Sequence, residues 1–323
     1  MMAPYLLRLL CLSLAVFFAI HLAVGVLVML AARPMVRAAR RLRPGAAARM
    51  LLAMRLLPAA LGILVVVGIC VPSYLWLEPE FSREEIGAGC LAAAVLGGLL
   101  WIHSAVRGVR GLMRAARHSG ECMRLGRPAG LAGCAVPVWV LDTQAPVFAL
   151  VGVFRSGVVV SDAVVSRLTT AQLGAALRHE EAHLRARDNL KRLVLLLTPG
   201  LLPGLHGFQE LERGWARFIE WSADDEAVAG DNQRSLSLAA ALVRMARLGG
   251  STPAPLTATF VSDCGEVSVR VDRLLSPAST APLPDVRPAM VAAGVAVGVG
   301  VMACMLHPAT LAYAHRIIEE VIH

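Results

Sequence analysis

Apolar and polar positions alternate in two different ways along this chain. Long runs without a single charge cover residues 9–32, 56–77, 86–106 and 288–315, the last with its apolar part at 290–306. A helix that crosses a bilayer needs about 20 apolar residues, so four crossings are expected. Between the third and fourth runs the pattern changes. Pro137-Val138-Trp139-Val140, then 147–151, then Val158-Val159-Val160 are short β-branched runs, punctuated by Gln144-Ala145-Pro146 and Arg155-Ser156-Gly157. They predict short antiparallel strands. Thr169-Thr170-Ala171-Gln172 is a capping-box pattern with Thr169 as N-cap. The helix it opens is expected to run through Leu173, Leu177 and Leu184 to about Asp188.

Composition sharpens this picture. The chain has 323 residues, 57% apolar and 17% charged, with mean hydropathy +0.64. Soluble domains are roughly 45–50% apolar and about 25% charged. A soluble globular protein and a disordered regulator are both excluded, and a mainly α chain partly dissolved in a lipid bilayer is expected. Its organisation follows: 1–106 with three spans and a basic loop at 33–55, 107–287 as the water-exposed unit, and 288–323 with the last span and a short tail.

Charge then orients the chain. The net charge is +8, and every basic residue except Lys191 is arginine. Segment 33–55 carries seven arginines and no acid, whereas 78–85 holds Glu78, Glu80, Glu84 and Glu85 against Arg83. Arg107, Arg110, Arg114 and Arg117 follow the third run. Basic segments belong in the cytoplasm. The N-terminus and the tail 307–323 are therefore expected outside a bacterial cytoplasmic membrane, and 107–287 inside. The first run is too long for the apolar core of a cleavable signal peptide. No basic stretch is interleaved with aromatics, so direct nucleic-acid binding is not expected. The seven cysteines are odd in number and include no C-x-x-C pair, which fits neither a disulfide scaffold nor a cysteine-zinc site.

The chemistry concentrates on the capped helix. His179-Glu180-Glu181-Ala182-His183 is an H-E-x-x-H match. Histidines four apart are separated by about 400° of rotation, so both imidazoles share one face, one turn apart. That spacing lets two neutral nitrogens hold one Zn²⁺ per chain. Glu180, about 100° round the helix, can act as the general base toward an attacking water. A catalytic zinc takes a third protein ligand, and the other histidines lie in spans, on the far side, or, like His118 and His206, away from the motif. Glu220 in Glu220-Trp221-Ser222-Ala223-Asp224 is the better candidate. Asp224, on the same face, would accept a hydrogen bond that orients a ligand imidazole. The alternative for this stretch is a solvated acidic face, since Asp225 and Glu226 follow.

These residues resemble a known family. The runs 145–150, 157–161, 168–173 and 178–183, with Arg187-Asp188-Asn189, the later Glu220-x-x-x-Asp224 and Arg270-Val271-Asp272-Arg273-Leu274-Leu275, are similar to the M56 integral membrane metallopeptidases of the BlaR1/MecR1 type. Those enzymes are relatives of the M48 (HtpX/Ste24-like) gluzincins. The resemblance covers roughly 137–276. It implies a gluzincin-like α+β fold, zinc on two His and one Glu, and cleavage of a protein substrate near the membrane, either a transcriptional repressor or the enzyme itself. It also implies that the strand holding Val147, Phe148 and Ala149 pairs with an extended substrate. Val147, where the M48 pattern prefers Asn, favours the M56 side. Where some M56 members carry a large extracellular sensor domain, only residues 307–323 follow the last run here, so β-lactam sensing by this chain alone is not expected. Two further functions remain open, an HtpX-like quality-control protease and a non-catalytic membrane signalling scaffold.

Residues 193–209 pose a topological constraint. They are charge-free but contain Pro199, Gly200, Pro203, Gly204 and Gly207. A single crossing there would place Glu220 on the opposite side of the bilayer from His179 and His183. A re-entrant hairpin or a surface-lying segment is expected instead, because prolines break a continuous span.

Overall fold

Three helical segments, Tyr5–Ala39, Pro44–Trp76 and Ala88–Leu125, are long and apolar enough to cross a membrane. The computed structural model describes residues 2–77, 87–130, 136–202, 208–249, 258–259 and 264–276. The fourth expected span, the tail 307–323, the acidic segment 78–85 and His206 lie outside the described residues. Helix α1 (Met2–Ala39) is followed by α2 (Pro44–Val65), which passes through a π-helical turn at Val66–Cys70 into α3 (Val71–Leu77), and then by α4 (Ala88–Leu125). Leu27, Leu30, Val67, Leu99, Ile102 and Val109 point outward from these helices, as lipid-facing side chains do. Helices α1 and α4 approach closely at Gly97, where a Cβ would lie 2.5 Å from the Leu14 carbonyl oxygen.

Two expectations change here. The basic segment 33–55 is not a loop: α1 runs to Ala39 and α2 starts at Pro44, so most of its arginines sit on helix ends that extend past the apolar stretch. Proline at the first helical position favours that early restart, because it lacks only an N–H that would be unbonded there. Likewise α4 continues without a break from Ala88 past Arg107 to Leu125, so the change from apolar to polar composition near 106 falls inside one helix.

After α4 come β1 (Arg127–Ala129), β2 (Val138–Leu141), β3 (Phe148–Val151) and β4 (Gly157–Ser161). They form a mixed sheet in the order β1-β2-β4-β3-β5, with β5 at Ala258–Thr259. The β3–β4 hairpin is antiparallel as expected, but β2 pairs parallel with β4, Val138 opposite Val158. The hairpin folds back so that β4, not β3, meets β2. The unbroken apolar run of β4 explains that choice: Val158, Val159 and Val160 are fully buried on both faces, the signature of an interior strand.

Helices α5 (Asp162–Arg167), α6 (Thr170–Ala186), α7 (Asp188–Leu197), α8 (Gln209–Val228), α9 (Asn232–Leu248) and α10 (Cys264–Leu275) complete the described chain. The capping box forms as read: Thr169 Oγ1 accepts from the Gln172 N–H and Gln172 Oε1 from the Thr169 N–H. The helix ends earlier than expected, at Ala186, because Arg187 adopts a left-handed conformation with φ 54°. Ala175, Ala176 and Leu177 of α6 pack with Val158 and Val160 of β4 and with Leu238 and Leu242 of α9. A second apolar cluster joins α8 to the membrane helices, with Leu211, Trp215, Phe218 and Ile219 against Val28, Ala32, Ala47 and Leu51.

The described part of the charge-free stretch after Arg192 packs against the membrane-like helices. Helix α7 lies against α4, with Leu193 packed on Ala115, and the turn after it tucks between α1 and α2. Several of its described carbonyls are met by side-chain donors. Arg107 donates to Leu196, Arg55 to Pro199 and the His21 Nε2–H to Gly200 at 2.7 Å. Backbone carbonyls freed by Pro and Gly in an apolar setting need such donors. Arg55 also pairs with Glu212 at 2.7 Å, in the first turn of α8.

Candidate metal centre

Helices α6 and α8 bring the expected donors together. Among the described residues, His179, His183 and Glu220 form the one group whose ligand atoms all lie within 4.8 Å of one another. The two imidazole Nε2 atoms are 3.1 Å apart, and each is 3.5 Å from one oxygen of Glu220. Two donors about 2.05 Å from a zinc ion at the tetrahedral angle stand about 3.3 Å apart. The observed spacings bracket that value, and the donor set of two imidazoles and one carboxylate is one that zinc takes. The residues present fit the ion.

Carboxylates hold the far side of each ring. Asp224 Oδ1 lies 3.0 Å from His179 Nδ1, and Asp188 Oδ2 lies 2.8 Å from His183 Nδ1. A carboxylate on Nδ1 fixes the tautomer that leaves Nε2 free to bind a metal. Asp188 is steadied in turn by the Lys191 ammonium at 2.8 Å. Asp224 receives a two-pronged contact from the buried Arg270 of α10, 2.9 Å from Nε and 2.6 Å from Nη2. Arg270 Nη1 is also 3.2 Å from Glu220. Sequence reasoning anticipated Asp224 in this position but not Asp188 or Arg270, both present only as parts of the family-like runs.

Electrostatics favour a cation at the centre. Burial alone would lower the His183 pKa, but Glu220 and the Asp188 hydrogen bond more than offset it and carry it up to about 10. Burial would raise Glu220, yet His183, His179 and Arg270 hold it well below the usual carboxylate range. Asp224 is pulled down to about 2, because the Arg270 charge and the His179 contact outweigh its burial. The same negative field attracts a metal ion, which binds His183 by displacing the proton.

Glu180 stands apart from the donors. Its carboxyl is fully buried, Oε2 accepts the Leu150 N–H of β3 at 3.1 Å, and Oε1 has no hydrogen-bond partner. Burial raises its pKa to about 7, with His179 and His183 acting against the rise. The group is poised between its two protonation states near neutrality.

The candidate substrate strand lies beside the centre. Val147 precedes β3, and Phe148 and Ala149 belong to it. Its edge is not open, however: β5 pairs antiparallel along it, Ala149 opposite Thr259 and Leu150 opposite Ala258. An unpaired edge recruits any strand within reach, and here a segment of the same chain supplies one.

Comparison with known proteins bears on this part of the chain. Residues 125–249 match the family model of Peptidase family M48. The match runs from the end of α4 to the end of α9, so it contains all three donors, Glu180, Asp188 and Asp224, and stops short of Arg270. No curated protein matches the chain. The matched segment is related to the M48 metallopeptidases, and with three membrane-like helices before it the chain is a membrane protein carrying a metallopeptidase-like domain.

Proposed function

We propose that this protein is a membrane-embedded zinc-dependent endopeptidase that cleaves a protein substrate at the cytoplasmic face of a bacterial membrane. The convergence of His179, His183 and Glu220 beside a buried, unliganded Glu180 carries this reading. His179, His183 and Glu220 would hold one Zn²⁺, with Asp224 and Asp188 orienting the two rings. Zinc, when bound, supplies Lewis-acid chemistry at the scissile carbonyl. Glu180 takes the proton of the attacking water and passes it to the leaving amine. Its raised pKa suits both halves of that transfer. The Leu150 N–H holds the carboxyl in place while Oε1 remains available.

Sidedness follows from charge. The arginine-rich ends of α1, α2 and α4 lie on the same side as the metal centre; Gly45 of α2, for example, sits against Ser222 of α8. The positive-inside rule then favours a cytoplasmic domain. Within the peptidases, a regulatory M56-type enzyme that cuts one defined partner is our first reading. The match to family M48 favours a second, a quality-control protease of broad substrate range, and the number of distinct cleavage sites found in membrane extracts separates the two.

The decisive test is Glu180→Gln. It should retain about one zinc per chain and lose cleavage by at least about 100-fold, the usual scale of a general base. Undiminished turnover would sink the assignment.

A further inference from the structure

A cavity of about 320 Å³ borders the candidate metal ligand His183 and is lined by the end of β3, the β3–β4 turn and the α6–α7 junction. Leu150, Val153, Phe154 and Leu190 give it apolar walls. Two of its polar residues keep hydrogen-bonding capacity that no neighbour uses. Asn189 is 2% exposed, and its Nδ2 donates to the Leu150 and Gly152 carbonyls at 3.3 and 2.8 Å. Because both partners are carbonyls, the amide orientation is fixed, and Oδ1 is left as a buried acceptor without a partner. A buried acceptor in that state is costly unless something meets it.

The second group is Arg187. It occupies the left-handed conformation between α6 and α7, unusual for a residue with a Cβ, and is exposed at the cavity rim. No ion pair or hydrogen bond of its guanidinium is found among the described residues. The acid beside it, Asp188, is already shared between His183 and Lys191. The cavity therefore presents one unneutralised positive charge above apolar walls, next to the candidate metal ligand His183.

We propose that this cavity is a substrate subsite selecting an acidic side chain, with Arg187 at its rim pairing the carboxylate. The proposal rests on the peptidase reading above and narrows it to peptides bearing Glu or Asp near the cut. The Val153–Phe154 wall suits the aliphatic part of such a side chain, while the guanidinium fork suits its carboxylate.

The test uses the full-length protein in detergent and fluorescent peptides with a single Glu, Gln or Lys placed at each position in turn. Anisotropy with the Glu180→Gln variant measures binding apart from catalysis, and turnover by the wild type measures cleavage. At one position Glu should be preferred over Gln by about tenfold, the scale of a charge-assisted hydrogen bond. The preference should vanish in Arg187→Asn, chosen because Asn tolerates the left-handed backbone, and turn toward Lys in Arg187→Glu. The same ranking in wild type and Arg187→Glu would overturn the subsite. Charge-selective binding without any cleavage would overturn the peptidase reading alone, and cleavage indifferent to charge the subsite alone.

Discussion

Removing the carboxylate behind His183, a candidate ligand, should weaken zinc binding at the proposed centre in steps that its geometry sets. Asp188 is 2% exposed, with one oxygen 2.8 Å from His183 Nδ1 and the other 2.8 Å from Lys191 Nζ. In Asp188→Asn the amide oxygen can still accept from Nδ1–H, so the tautomer survives and only the charge is lost. Hydrogen bonds to charged groups are about twice as strong as neutral ones. A loss of about 1.4 kcal/mol, tenfold in zinc affinity, is the expected result. Asp188→Ala removes the acceptor altogether and should cost about 100-fold, the upper end for partners that support metal ligands. Lys191 contributes little to either figure, since its side chain is one-third exposed and water replaces its partner. Competition with a chromophoric zinc chelator on detergent-solubilised protein measures both, with far-UV circular dichroism confirming that the metal-free variants are folded. Wild-type affinity in Asp188→Ala, alongside lost binding in His183→Ala, would refute the role assigned to this carboxylate.

Two other substitutions test the surroundings. Arg270→Met leaves Asp224 buried without its counter-charge and should destabilise the fold by about 3–5 kcal/mol, seen as a lower thermal midpoint; an unchanged midpoint would mean that α10 does not clamp the centre. Gly157→Ala would place a Cβ 2.1 Å from the Trp139 ring, so it should destabilise the β2–β4 pairing, and the double variant with Trp139→Leu should recover much of the loss. Equal midpoints for the single and double variants would count against that contact.

Local pattern carried a large part of this molecule. The spacing of His179 and His183 needs only helical geometry, the Thr169–Gln172 box needs only its own backbone, and the first three charge-free runs need only length. Glu220 and Asp224 could be paired from the sequence because they too sit one turn apart on a helix. What escaped depends on tertiary placement. Asp188 reaches His183 because Arg187 turns the chain left-handed, a conformation that no propensity assigns to arginine. Arg270 meets Asp224 across 46 positions, and nothing local marks its guanidinium as buried. The parallel pairing of β2 with β4 and the capture of the β3 edge by β5 are likewise choices between partners, decided by which face must be buried rather than by the strands themselves.

The two halves of the candidate metal centre have different supports. The histidine-bearing helix α6 is packed on the sheet and α9. Helix α8 changes support along its length, with Ala227 and Val228 in the sheet-side core and Leu211, Trp215, Phe218 and Ile219 in the core shared with α1 and α2. Glu220 and Asp224 lie between these two regions. The Arg55–Glu212 pair and the Arg55 guanidinium 4.5 Å over the Phe208 ring fasten the start of α8 to a membrane helix. Cutting the chain before α4 would therefore strip the apolar cover from four large side chains of α8, each worth roughly 1.5–3 kcal/mol when buried. That total rivals the whole stability of a typical domain. Glu220, the candidate third ligand, is thus held in register by the membrane-like helices, and the candidate metal centre is not separable from them.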